Sequence, residues 1–138
     1  MLRFTSWTSL AAHMRAETGC SPYSGRGIFT VKKGETKIAI LRNVEGYCSY
    51  KDEFFYPNKC LYTLEGRVGD QDRGTRANKY LTDVADRLYM YGVDRKKKVW
   101  YWFGEAIRVP GRPLEKLRHV DDLGNERDIY RIALEFIY

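Results

Sequence analysis

The ten residues 62–71, with the sequence YTLEGRVGDQ, combine side chains able to do chemistry with a backbone that must turn sharply. Glu65 and Asp70 could hold a divalent metal or exchange protons, which is the chemistry of paired carboxylates. Carboxylates in turns also accept hydrogen bonds from backbone N–H groups, so a purely structural role stays open. The small and polar members of this segment are Glu65, Gly66, Gly69, Asp70 and Gln71. Its glycines indicate backbone conformations that a Cβ disfavours, or a close approach to a partner.

Other motifs of catalysis and metal binding do not occur in the sequence. There is no Walker loop, no His-Glu-x-x-His helix and no Ser-His-Asp order. The three cysteines form no Cys-x-x-Cys pair, and only His13 and His119 could help them bind zinc. We therefore expect no metal site and no cofactor, and we interpret the chain as a binding module and not as an enzyme.

Composition limits the class of protein. A chain of 138 residues is one domain by size, and its apolar content of 43% with 14% aromatic residues predicts a packed, strand-rich globule. No apolar run has the length of a membrane span, and the first residues lack the apolar core of a signal peptide. We expect a soluble, intracellular protein without a membrane partner. The net charge of +6 favours polyanionic partners.

Apolar periodicity and turn residues predict an α+β domain in which a curved or closed, largely antiparallel sheet carries one or two short helices. The predicted helices span about 7–17 and 75–88, and the predicted hairpins pair 28–31 with 36–41 and 88–93 with 99–103. Another strand is expected over 54–63, with Pro57 at a bulge, an edge or a turn. The last strand, 128–138, alternates, which predicts one face on the core and one face, with Arg131 and Ala133, towards solvent.

The decapeptide resembles the Tyr-Thr-Gly-Glu-Gly-x-x-Gly-Asp-Gln motif of SRA-like domains, the SET-and-RING-associated readers of modified DNA bases. These domains belong to the PUA-like class of small β-barrels, and related modules are attached to restriction nucleases and helicases. Leu64 stands where the family usually has Gly. Further segments in the family's order are 46–53, 78–81, 89–91 and 101–105, so the resemblance covers roughly 46–109 and the final strand.

The resemblance implies a PUA-like fold and a pocket that receives a base flipped out of the duplex. Stacking residues would be Tyr62 and either Tyr47 or Tyr50, and either Asp52 or Glu53 would accept a hydrogen bond from an exocyclic amine, which suits cytosine. The full set that the resemblance assigns to the pocket is Tyr47, Tyr50, Asp52, Glu53, Tyr62, Thr63, Glu65, Gly66, Gly69, Asp70 and Gln71. Nuclease activity in the family comes from a separate domain.

Basic residues could contact nucleic-acid phosphates without sequence preference. They are Lys32, Lys33, Arg67, Arg73, Arg76, Arg95, Lys96, Lys97 and Lys98. The predicted partner is nucleic acid, with double-stranded DNA first. Two alternatives stay open: an assembly protein that packs against protein partners through its basic surface, and a small nucleotide-acting enzyme that uses Glu65 and Asp70.

Overall fold

The computed structural model describes residues 1–22, 27–44 and 50–137. These residues form nine strands, two α-helices and one π-helical turn. The helical elements are α1 (Trp7–Thr18), α2 (Arg76–Lys79) and the π-helical turn Tyr80–Val84. The strands are β1 (Leu2–Phe4), β2 (Ile28–Lys33), β3 (Thr36–Val44), β4 (Glu53–Phe55), β5 (Lys59–Thr63), β6 (Arg87–Asp94), β7 (Val99–Arg108), β8 (Glu115–Val120) and β9 (Glu126–Phe136). None of the helices in this part of the chain is both long and apolar enough to span a membrane.

All strands join one sheet in the order β2-β3-β6-β7-β9-β5-β4, with β1 beside β7 and β8 beside β9. Strands β3 and β6 pair in parallel, and the other pairs are antiparallel. Strands β2 and β4 end the hydrogen-bonded path, so the sheet in the described residues is open. The predicted α+β class with a largely antiparallel sheet is confirmed, in its curved and not its closed form.

The predicted hairpins are confirmed. Strands β2 and β3 meet at a two-residue turn in which Gly34 has a φ of 62°, and β6 and β7 flank the basic turn 95–98. The predicted strand 54–63 is itself a hairpin, β4–β5, with Pro57 in its turn. Local turn chemistry and short-range pairing decide all three features.

Helix α1 begins and ends where the sequence predicts. The Ser6 hydroxyl accepts a hydrogen bond from the Ser9 amide at 3.1 Å, and Gly19 ends the helix with a φ of 77°. The buried side chains Leu10 and Met14 pack against β3, β6 and β7.

The predicted helix 75–88 is wrong beyond Val84. Thr75 caps the N-terminus, but α2 ends at Lys79, the π-helical turn follows, and Ala85 is extended with a ψ of 133°. The guanidinium of Arg108 donates to three backbone carbonyls, those of Tyr80, Leu81 and Ala85, at 2.8–3.0 Å. These bonds satisfy carbonyls that a continuing helix would have paired, and they allow β6 to begin at Arg87.

The predicted solvent face of the last strand is also wrong. Arg131 and Ala133 are buried, so this face of β9 is covered as well as the face that carries Ile132 and Leu134. The guanidinium of Arg131 binds the carboxylates of Glu53 and Glu115 and the carbonyl of Lys51. A charged side chain therefore occupies a buried position because it is paired.

The core has two parts, one on each face of the sheet. Neighbouring residues of β3 divide between them, since Ile40 packs under α1 and Leu41 packs on the opposite face, as strand alternation requires. The part that contains Leu41 also includes Tyr62, Leu64, Met90 and Leu134. The candidate site opens beside this second part.

Candidate functional site

A cavity of about 670 Å³ lies between the inner faces of β3, β5, β6 and β7, with β4 and the segment 50–52 at its side. Its volume falls within the range of small-molecule pockets, which is roughly 300–1,000 Å³. From the predicted pocket set it is lined by Tyr50, Asp52, Tyr62, Thr63 and Glu65. The other lining residues are Met1, Gly27, Ile28, Arg42, Asn43, Val44, Lys51, Phe54, Gly92, Val93, Tyr101 and Phe103.

Asp52 is a half-buried carboxylate that lines this cavity. Its Oδ1 accepts a hydrogen bond from the Thr63 amide at 2.6 Å, and its Oδ2 accepts one from the Asn43 side-chain amide at 2.9 Å. Burial raises the pKa of Asp52 above its usual range, and the bonds from Asn43 and Thr63 oppose that rise. A carboxylate has about four acceptor positions, so Asp52 keeps capacity for a donor on a ligand.

Glu53 lies on the face of β4 opposite to Phe54, because successive side chains of a strand alternate. Its carboxylate binds Arg131, and Glu53 is not part of the cavity lining in the described residues. Of the two carboxylates that the sequence offered as alternatives, the structure brings Asp52 to the cavity.

Tyr62 is a packed wall of the cavity and not an exposed ring. It is 3% exposed, and its hydroxyl donates to the carbonyls of Arg42 at 2.7 Å and Gly27 at 3.3 Å. Burial raises the pKa of Tyr62 well above its usual range, so the hydroxyl stays a donor. Tyr50 is half-buried and lines the cavity, whereas Tyr47 lies outside the described residues.

Three further aromatic residues form the apolar side of the cavity, and sequence reasoning assigned none of them to it. The rings of Phe54 and Phe103 stack with centroids 5.1 Å apart and an interplanar angle of 16°. Phe54 is 43% exposed, which leaves part of its surface open. Tyr101 precedes Phe103 on the same face of β7. The alternation of Trp100 and Trp102 with Tyr101 and Phe103 was the available signal, but it did not identify which face borders a cavity.

Gly92 provides space for these rings. A Cβ at Gly92 would lie 2.8 Å from the ring of Phe103, closer than side chains pack. The absence of a side chain at this position therefore allows Phe103 to lie flat against β6.

The turn that follows β5 connects the cavity to the rest of the sheet. The Glu65 carboxylate accepts a hydrogen bond from the Ile28 amide at 2.9 Å and reaches the cavity. Beyond it, Gly66 and Gly69 have φ values of 134° and 70°, which favour glycine. Leu64, at the position where the family usually has Gly, is 0% exposed and fills the core.

The end of the turn attaches to β9. The Gln71 side-chain amide donates to the Leu64 carbonyl at 2.6 Å, and its oxygen accepts from the Tyr130 amide at 2.9 Å. The Asp70 carboxylate accepts from the Asp128 amide at 2.7 Å. Among the described residues, the cavity lining does not include Gly66, Gly69, Asp70 or Gln71.

Glu65 and Asp70 therefore each bind a backbone amide of a different strand, which is the structural role that the sequence left open. Within the described ranges, no group of three or more His, Cys, Asp or Glu residues is placed to hold a metal ion.

The basic residues that were predicted to contact phosphates lie in different turns and segments of the chain. The turn 95–98 is exposed and extends from the β6–β7 hairpin, where the Asp94 carboxylate accepts from the amides of Lys96 and Lys97 at 3.1 Å. Lys32 and Lys33 are exposed at the β2–β3 turn. Arg67 forms an ion pair with Asp122 at 2.8 Å.

The guanidinium groups of Arg73 and Arg76 lie over the rings of Tyr130 and Tyr80, at 4.9 and 5.3 Å from the ring centroids. The four residues of the 95–98 turn make no ion pair within the part of the chain that the structure describes. Lys32 and Lys33 are likewise exposed and make no ion pair there, so both hairpin turns offer cations to a phosphate.

Comparison with solved structures shows the same fold in SRA domains. The DNA modification-dependent restriction endonuclease AspBHI matches with a TM-score of 0.61 and 12% identity, over 81% of this chain and 61% of the AspBHI chain. The SRA domain of SUVH5, solved with methylated CHH DNA, matches with a TM-score of 0.59 and 19% identity, over 91% of this chain and 82% of the other. No family model and no curated protein matches the chain in sequence.

A structure of the sulfur binding domain and SRA domain of ScoMcrA, complexed with phosphorothioated DNA, matches with a TM-score of 0.61 and 13% identity. It covers 99% of this chain and 39% of the ScoMcrA chain. At these identities the similarity is one of fold, and it confirms the SRA-like fold that the decapeptide predicts.

Proposed function

We propose that this chain binds double-stranded DNA and recognises a modified cytosine, which it flips out of the duplex into the cavity beside Asp52. The observation that carries the proposal is a cavity with aromatic walls and two half-buried carboxylates, Asp52 and Glu65, in a fold that SRA domains share. The Asp52 carboxylate is an acceptor and suits a base with an exocyclic amine, since the cytosine N4 group is a donor. Extrusion of a base costs a few kcal/mol, which stacking and hydrogen bonds must offset.

The structures that share this fold support the choice of ligand. One SUVH5 SRA structure contains methylated CHH DNA, and another contains fully hydroxymethylated CG DNA. In this chain, Tyr50 and Phe54 would stack on the base, and Asp52 would accept from its amine. The exposed cations of the 95–98 turn would contact phosphates.

A binding screen tests the proposal. Duplexes of one sequence that carry cytosine, 5-methylcytosine or 5-hydroxymethylcytosine are compared by fluorescence anisotropy at one salt concentration. The proposal predicts tighter binding to at least one modified duplex than to the unmodified duplex. Equal affinity for all three duplexes would contradict recognition of these modifications and would leave only binding of the phosphate backbone.

Two variants connect that preference to the cavity. Tyr50→Ala should lower affinity for the preferred duplex by about 1–3 kcal/mol, the range for base stacking on an aromatic ring, and should affect the unmodified duplex much less. Tyr56→Ala is the matched control, because Tyr56 is 99% exposed and is not among the lining residues. An equal loss in both variants, or an equal loss on both duplexes, would place the recognition elsewhere.

A further inference from the structure

A second cavity, of about 560 Å³, shares no described lining residue with the first. It lies between the segment before α2, the π-helical turn and the segment that joins β7 to β8. Three arginines line it: Arg73, Arg108 and Arg112. Sequence reasoning assigned Arg73 to a phosphate contact and gave no role to the other two.

The three guanidinium groups retain hydrogen-bonding capacity. Arg108 donates from Nε and Nη2 to backbone carbonyls, and its Nη1 makes no hydrogen bond within the described residues. Arg73 contacts the ring of Tyr130 and makes no ion pair in that part of the chain, and Arg112 makes neither an ion pair nor a side-chain hydrogen bond there. Arg108 is held rigidly by its three bonds, so one side of the cavity is organised before any ligand enters.

One carboxylate, Asp83, also lines the cavity, and it forms no ion pair with the arginines in the described structure. Asp83 and Asp86 both lie close enough to act on the charge of Arg108, although Asp86 does not line the cavity. Three cations and one anion give the lining a net charge of +2. Guanidinium groups match the geometry of phosphate oxygens, and a phosphomonoester carries a charge of about −1.5 to −2 at pH 7.

We propose that this arginine-lined cavity binds a phosphomonoester group, carried by free phosphate, by a nucleotide or by the 5′ end of a nucleic acid. The net charge of the lining balances a dianion and exceeds the single charge of an internal phosphodiester. The inference stands apart from base recognition, because it uses a different cavity.

The test follows the arginine side-chain Nε–H signals by NMR as inorganic phosphate is added at millimolar concentrations. The expected result is a saturable shift of the Arg108 signal, with affinity that falls when pH is lowered from about 7.5 to about 5, as the dianion becomes a monoanion. Each of Arg73→Gln and Arg112→Gln should weaken phosphate binding at least about tenfold, since each removes a charged donor. Both side chains are exposed, so these variants keep the fold contacts that Arg108 makes.

Arg15→Gln is the charge-matched control, since Arg15 is exposed on α1 and does not line the cavity. Equal weakening in Arg15→Gln and Arg112→Gln, or a linear shift without saturation, would overturn the proposal.

Two further comparisons distinguish the sources of the phosphate group: thymidine with thymidine 5′-monophosphate, and a duplex with and without a 5′-phosphate. Binding of the free ion alone would assign the site to inorganic phosphate, and tighter binding of the phosphorylated duplex would assign it to nucleic-acid ends. Loss of preference for modified cytosine would not affect either result.

Discussion

Replacement of Asp52 by Asn separates recognition of the base from stability of the fold. The side chain keeps its size and one oxygen that can accept from the Thr63 amide, but its other oxygen, which accepts from Asn43, is replaced by a donor. An amide at this position also has less acceptor capacity towards a cytosine amine. A hydrogen bond to a charged group contributes about 1.5–3 kcal/mol, so affinity for the preferred modified duplex should fall about 10- to 150-fold.

The effect on stability should depend on pH. The pKa of Asp52 in the folded chain lies above its value of 3.8 in the unfolded chain, because burial disfavours the ionised carboxyl group. This group therefore stabilises the fold fully below pH 3.8, and the stabilisation is lost as pH rises through the folded-state pKa. At neutral pH, the Asp52→Asn substitution removes a poorly solvated charge and also removes the Asn43 hydrogen bond to that charge, which contributes about 1.5–3 kcal/mol, and these effects oppose each other.

Urea unfolding measures this balance, and anisotropy measures binding. We expect the free energy of unfolding of Asp52→Asn to be within about 1 kcal/mol of the unsubstituted chain at neutral pH. The unsubstituted chain should then gain stability relative to the variant as pH is lowered towards 4. Glu53→Gln is the matched control, because Glu53 lies on the other face of β4 and should leave the ratio of modified to unmodified affinity unchanged. The reasoning fails if Asp52→Asn lowers affinity for both duplexes equally, or if the stability difference does not change with pH.

Three further predictions follow from the same structure. Replacement of residues 95–98 by Ser should weaken binding to every duplex and should reduce the salt slope by roughly 0.9 for each phosphate that the turn neutralises, and an unchanged slope would contradict a role in binding. Phe54→Ala should cost about 1–3 kcal/mol for the modified duplex in the anisotropy assay, and a loss of that size on unmodified DNA would argue against stacking. Gln71→Ala should lower the free energy of unfolding in urea by roughly 2–4 kcal/mol, because it removes the bonds to Leu64 and Tyr130, and should keep the preference between duplexes.

The parts of the fold that the sequence predicted depend on local signals. Ser6 and Gly19 delimit α1, and Gly34 marks the turn between β2 and β3, because capping and turn geometry involve only neighbouring residues. The paired strands β6 and β7 follow from the same kind of evidence.

The parts that sequence analysis missed depend on distant residues. The apolar pattern of 77–88 continues from α2 into β6 because both elements bury side chains on one core, so periodicity does not show where the helix ends. Arg108, from another strand, stabilises that ending. Arg131 is buried at a polar position of the alternation because Glu53, Glu115 and the Lys51 carbonyl, from other segments, pair with its guanidinium.

In the candidate site, too, local sequence predicts the candidate residues, and distant contacts decide which of them reach the cavity. The sequence offered Asp52 and Glu53 as equal alternatives, and only the orientation of β4 decides between them. The resemblance made Tyr62 a stacking candidate, but its hydroxyl bonds to the carbonyls of Arg42 and Gly27 hold it in the wall. Phe54 and Phe103 meet across strands that are distant in sequence, so no local pattern predicts that they border one cavity.

The decapeptide that carries the family resemblance mainly attaches the end of β5 to β9 and fills the core. Gln71 connects the end of β5 to β9, Asp70 binds the amide of Asp128, and Leu64 fills the core. Only its first four residues reach the cavity, through Tyr62, Thr63 and Glu65. A match in this segment therefore indicates the fold more strongly than the ligand. Under the proposed function, we predict that the cavity residues outside this segment contribute to the choice of base. Exchange of Asn43, Phe54 or Tyr101 should therefore change the preferred duplex in the anisotropy screen, while the contacts of Gln71 and Asp70 and the fold stay the same.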